Sequence, residues 1–195
     1  REIGAQGEPR QRRALGVQVV QREGPRPGQA PLVLRAIVPP NDNWLNGDFT
    51  GFRPIYNPYT TRVVNGVLVI GHINNMKNQY ASAPSGALRA FDARTGEFRW
   101  SFDPIPRSKD EPQAGDWTPE SRLTTGGANA WSLLSVDEKR DLVFVPTSSA
   151  SPNWFGGTRP GDNRHANSVV ALRGKTGEVV WSFQTVHHDV WDWDT

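Results

Sequence analysis

The strongest constraint on this chain is an internal repeat. Residues 88–102, LRAFDARTGEFRWSF, and 169–183, VVALRGKTGEVVWSF, match without a gap at seven of fifteen positions. Each copy reads as a strand, a tight turn over Thr-Gly-Glu (Thr95, Gly96, Glu97; Thr176, Gly177, Glu178) and a second strand ending in Trp-Ser-Phe. Glycine supplies the positive φ that a short hairpin connection needs, and the alternation of apolar with other residues gives each strand one buried face. A chain built on such a unit must find partners for those faces, because a lone hairpin is marginal in water.

Two more strands precede each hairpin. GVLVIG (66–71) and DLVFVPT (141–147) are the nearer ones, with RPIYNPYTTRVV and NAWSLLSV further upstream. No segment keeps apolar residues at i, i+3, i+4 and i+7, so helical repeats are excluded and the chain reads as all-β. Glycine (19), proline (16) and eight tryptophans fit many short strands joined by turns. Four strands in order, closing on a tryptophan, is the pattern of a β-propeller blade, and this chain holds about two to three of them. From Leu88 to Val169 the repeat spacing is 81 residues, well beyond a plain blade of about 40 to 50. Two polar insertions, 103–130 and 148–167, hold the excess, and Trp117 and Trp154 are expected to anchor them. Residues 1–50 read as a divergent segment or partial blade, and 51–195 as an incomplete propeller cut at both ends.

Charge and cysteine content remove several functions. Net charge is +2, and the basic excess lies in the first 37 residues, where seven arginines meet three glutamates without aromatic interleaving. A solvated surface explains that better than nucleic-acid binding. No cysteine is present, which excludes disulfides, thiolate metal sites and cysteine nucleophiles.

The densest chemistry lies in QTVHHDVWDWDT (184–195). His187, His188, Asp189, Asp192 and Asp194 could be metal ligands, general bases or polar caps on a turn. Neighbouring side chains on extended backbone point to opposite sides, which argues against zinc held by His-His-Asp in a row. Carboxylates suit calcium or magnesium better. His72 and His165 are the only other histidines, so a metal-dependent hydrolase has no converging ligand set.

Four ordered motifs, AFDARTGEFRW, TGGANAWSLLSVDEKRDLVFVPT, FGGTRPGDN and TVHHDVWDWD, resemble the pyrroloquinoline-quinone (PQQ) dependent dehydrogenases, closest to their membrane-bound glucose dehydrogenase type. The resemblance runs from about residue 60 to 195 and implies an eight-bladed propeller in the full-length family. It implies that PQQ stacks on Trp131, beside Gly126 and Gly127, and that Asp192 is the catalytic base, with His188 and Asp189 supporting it. Ser149 and Ser151 are implied as cofactor-binding oxygens, and Asp192 with Asn75 as ligands of Ca2+ or Mg2+. At Asn75 the family usually has an acidic residue, so one negative charge is missing here. The expected reaction is oxidation of a sugar or alcohol, with glucose or a polyol favoured. Electrons would pass to ubiquinone or a cytochrome, in the periplasm, through a protein that a segment elsewhere could anchor to the inner membrane. The chain by itself is expected to show little or no catalysis, because the family's cationic quinone partner falls after Thr195. The competing reading is a non-enzymatic propeller scaffold that binds protein partners; such a scaffold has no need of both GGANAW and HHDVWDWD.

Overall fold

The structure, a computed structural model, describes residues 61–71, 80 and 83–195, with the backbone of two short strands, β1 (Gln18–Val19) and β2 (Ala36–Ile37), which pair antiparallel. Asn75 and His72 lie outside the described residues.

Two four-stranded antiparallel meanders follow. The first runs in order through β3 (Thr61–Val64), β4 (Val67–Ile70), β5 (Leu88–Asp92) and β6 (Phe98–Phe102). The second runs through β7 (Ser135–Asp137), β8 (Leu142–Pro146), β9 (Ser168–Arg173) and β10 (Val179–Gln184). The repeated segments are β5–β6 and β9–β10, and their turns contain Gly96 at φ 76° and Gly177 at φ 73°. In the first turn the Asp92 carboxylate accepts the N–H groups of Arg94 and Thr95, both at 2.9 Å.

The period of two decides how the sheets meet. Val67, Val69, Leu88, Ala90, Trp100 and Phe102 of the first sheet share one buried cluster with Val143, Val145, Val170 and Leu172 of the second. One sheet therefore covers the other face to face, as adjacent propeller blades do. Trp100 closes the joint: its indole N–H donates to the Gly174 carbonyl at 2.9 Å. A Cβ on Gly177 would lie 2.5 Å from that ring, so only glycine lets the turn approach so closely. The repeat counterpart, Trp181, pairs with Ala171 on the opposite face of the second sheet and touches Phe144, its ring centroid 5.9 Å away.

The insertions are ordered and packed on each other. Ile105, Trp117, Ala128, Ala150 and Ala166 form a second core, and Trp117 donates to the Arg164 carbonyl at 3.2 Å. Trp117 is thus the expected anchor, whereas Trp154 is 58% exposed and anchors nothing. His165, within the second polar insertion, is buried in an edge-to-face contact with Phe102. The first insertion contains a short helix, α1 (Pro119–Thr124), absent from the all-strand reading. Thr118 caps it by accepting from the Ser121 N–H, and Pro119 starts it with a preset φ. Six residues are too few to display a helical period. Strand β7 is shorter than NAWSLLSV suggested: of that segment only Ser135 and Val136 are strand, and Gly127 and Ala128, just before it, take positive φ (73° and 53°). Among the described residues no helix is long and apolar enough to cross a membrane.

Candidate active site

The tail after β10 is a turn organised by one carboxylate. Asp189 is buried, and its Oδ1 accepts the Trp191 N–H at 3.1 Å while Oδ2 accepts the Trp193 N–H at 2.9 Å. Ser149 Oγ also donates to Oδ2, and Asn167 Nδ2 reaches it at 3.3 Å. An aspartate that binds backbone N–H groups two and four residues onward closes a loop in the manner of an Asx turn. Asp192 rides on that loop in the left-handed region, at φ 58°. Its carboxylate is partly exposed.

Ser149 and Ser151 are both fully buried. The Ser149 hydroxyl is directed to Asp189, and Ser151 Oγ accepts the Gly126 N–H at 3.0 Å. Gly126 is a crossing point of backbones, since a Cβ there would stand 1.9 Å from the Ala83 carbonyl oxygen. Gly127 bridges Ser85 on one side and Ala150 on the other. These two glycines let three segments of loop lie against one another beneath the site.

Trp131 leaves that crossing with 43% of its surface exposed, and its indole N–H donates to Asp194 Oδ1 at 3.1 Å. The bond fixes the edge of the ring and leaves area free on its face. Partial desolvation pushes the Asp194 carboxyl above its ordinary range; the Trp131 N–H opposes this, and the charges of Asp192 and Asp189 add to it. The negative charges of Asp192 and Asp189 thus both reach the Asp194 carboxyl. Among the described residues no three His, Asp or Glu side chains come together as a metal-ligating group.

The histidines divide. His188 Nδ1 lies 2.8 Å from the Gly161 carbonyl, an acceptor, so this nitrogen carries the proton. Its Nε2 edge packs on Gly156, where a Cβ would stand 2.1 Å away. His188 thus clamps the tail to the second insertion. His187 is exposed, with Nδ1 3.9 Å from Asp162 Oδ2.

One participant escaped the sequence reading. Arg159, in the second insertion, is 1% exposed and donates to Asn163 Oδ1 at 2.6 Å, to the Pro152 carbonyl at 3.1 Å and to the Asp189 carbonyl. Burial lowers its pKa, and the Asp189 charge raises it. A Thr-Arg-Pro-Gly-Asp-Asn run looks like a solvated loop, and no residue type in it marks the arginine as buried.

Paired four-stranded meanders locked face to face by a tryptophan, with their loops gathered beside a half-exposed indole, define adjacent blades of a β-propeller. The chain belongs to the PQQ-dependent glucose/ethanol/alcohol dehydrogenase β-propeller family, whose profile matches residues 50–195. It is 40% identical over 133 residues to the glycerol dehydrogenase large subunit of Gluconobacter oxydans (strain 621H), covering 68% of this chain and 17% of that protein. It is 38% identical over 144 residues to quinoprotein glucose dehydrogenase A of Acinetobacter calcoaceticus, covering 71% of this chain and 17% of that protein. The quinohemoprotein alcohol dehydrogenase of Comamonas testosteroni superposes with a TM-score of 0.59 at 28% identity, over 69% of this chain and 21% of that one. The chain thus spans about a sixth of the length of the curated relatives.

Proposed function

We propose that this chain provides the base and the stacking floor for PQQ-dependent oxidation of a sugar or polyol, glucose being the first candidate. The observation that carries the reading is the Asp189-capped turn, which holds Asp192 two residues from the Asp194–Trp131 pair. Two relatives in the same range of identity are a glycerol dehydrogenase and a glucose dehydrogenase, which supports a polyhydroxylated substrate.

Asp192 accepts the proton of the substrate hydroxyl at its carboxylate, in a turn whose backbone is already fixed. When bound, PQQ supplies the two-electron acceptor for the hydride. Trp131 offers it a flat apolar face, and the 3.1 Å bond to Asp194 stops the indole from turning away. Asp192 and Asn75 would be the oxygen donors to Ca2+ or Mg2+, ions that carboxylate and amide oxygens suit. Gly126, Gly127, Ser149 and Ser151 set the level of the loop beneath the ring, and His188 holds the tail in place. The electron acceptor is ubiquinone or a cytochrome, and the compartment the periplasm.

The test is dye reduction by the intact protein, given PQQ and Ca2+, with glucose, glycerol and ethanol compared. Turnover that needs PQQ and is fastest on glucose or glycerol supports the reading. A protein that binds no PQQ, or that oxidises none of the three, refutes it.

A further inference from the structure

The buried guanidinium of Arg159 has no place in the scheme above, yet it reaches three separate stretches of chain at once. Its acceptors are Asn163 Oδ1 at 2.6 Å within its own loop, the Pro152 carbonyl at 3.1 Å where that loop leaves the second sheet, and the Asp189 carbonyl in the tail. Asn163 returns the contact, its Nδ2 donating to the Arg159 carbonyl at 2.8 Å. Among the described residues Arg159 Nε has no partner, so this buried cation is held by its two terminal nitrogens alone.

Burying a guanidinium is unfavourable unless its donors are matched, and here all the direct acceptors are neutral oxygens. An exposed lysine could hold a surface loop at less cost. What a planar fork adds is several donors in fixed relative directions, so that segments bound to it cannot shift independently. The segment that depends on it most is the tail. Asp189 is gripped through its carbonyl by Arg159 and itself grips Trp191 and Trp193 through its carboxylate. Between those two N–H groups sits Asp192, in a left-handed conformation that a non-glycine residue keeps only when its surroundings impose it.

We propose that Arg159 is a positioning residue for the proton-accepting turn, transmitting the geometry of the 148–167 insertion to Asp192 through the Asp189 carbonyl. The proposal rests on the assignment of Asp192 as base. It makes the insertion part of the catalytic apparatus without any contact to the reacting atoms.

The experiment uses the intact protein with Arg159→Ala and follows two quantities. Hydrogen exchange in the absence of cofactor reads the turn directly: the amides of Trp191 and Trp193 are expected to exchange about tenfold faster or more, while those of β8 and β9 keep their protection. Steady-state kinetics with PQQ and Ca2+ should show kcat lower by about 100-fold with KM little changed, the signature of a displaced catalytic group. Millimolar guanidinium, filling the vacated space, should restore part of kcat, and ammonium should not. If Arg159→Ala does not fold, Arg159→Lys takes its place; a single ammonium cannot span the three acceptors, so the same amides loosen and kcat falls to a smaller extent.

Wild-type exchange at Trp191 and Trp193 in a folded variant overturns the proposal, and so does faster exchange with an unaltered kcat. Asp192→Asn, measured alongside, separates the two assignments: if that variant turns over normally the base is wrongly placed, whatever the amides show.

Discussion

The indole N–H of Trp131 and the carboxylate of Asp194 meet at 3.1 Å across 63 residues of sequence, tying the segment that leads into the second sheet to the last turn of the chain. Of the influences on Asp194, this bond is the one that favours the ionised form; desolvation and the charges of Asp192 and Asp189 work against it. Trp131→Phe keeps an aromatic face and removes the donor. The Asp194 titration midpoint is expected to rise, measured by NMR on carboxyl-labelled aspartate, and an unmoved midpoint would show that the bond does not form in solution.

Asp192→Asn is expected to lower kcat by a factor of about 100 to 10,000, the usual contribution of a positioned general base. PQQ affinity by equilibrium dialysis should change little, since Trp131 is untouched. Retained turnover would remove Asp192 from the mechanism.

His165 gives the fold an acid-sensitive point. Burial, with a smaller push from the Arg164 charge, lowers its pKa from 6.5 to about 4. The unfolded chain therefore binds more protons than the folded one between those two values. Stability from this group is fully present above about pH 6.5, falls as the pH drops toward 4, and stays flat below. The loss across that window is on the order of 3 kcal/mol. Denaturant unfolding at a series of pH values should show this slope in the wild type and a shallower one in His165→Gln.

At the joint between the sheets, Trp100→Phe removes the donor to the Gly174 carbonyl and some packed volume, a change expected to cost about 1–3 kcal/mol. Gly177→Ala forces a Cβ toward the same ring at a backbone angle of 73°, with a comparable cost. Because both act on one contact, the double variant should lose less stability than the two losses added together. Simple additivity in a double-mutant cycle would mean the sheets do not lock there.

Ser149→Ala tests whether this hydroxyl serves the cofactor directly or through Asp189. With its hydroxyl donating to a buried carboxylate, the expected result is a loss of about 1–3 kcal/mol in stability and unchanged PQQ affinity. A fall in affinity without a stability change would reverse that assignment.

Much of the scaffold was legible from residue patterns. Apolar alternation marked the hairpin strands β5 and β9, short apolar runs marked β4 and β8, and Thr-Gly-Glu marked both hairpin turns, because strand faces and positive-φ turns are local requirements written in residue type. The tail was legible as a chemical cluster, and Asp192 and Trp131 as residues of interest. What stayed hidden depends on long-range packing. Arg159 and His165 sit in a run whose composition reads as solvated loop, and each is buried by distant partners: Arg159 reaches the tail at the Asp189 carbonyl, and His165 packs on Phe102 of the first sheet. Trp117 and Trp154 look alike in sequence, and one is buried among Ile105, Ala128, Ala150 and Ala166 while the other is exposed. The roles of Asp189 and Ser149 as partners could be guessed only from a contact spanning 40 residues.

The left-handed backbone at Asp192 also determines which replacements are informative. Asparagine accepts that conformation at least as readily as aspartate, so the amide exchanges one atom's chemistry and leaves the loop alone. Alanine would distort the turn while removing the carboxylate, and glutamate would distort it while moving the carboxylate outward by one methylene, so the kinetics of either would mix two defects. The same coupling acts on natural variation: any residue substituted here is judged at once on its ability to take a proton and on its tolerance of a positive φ, a pair of demands that very few side chains besides aspartate can meet.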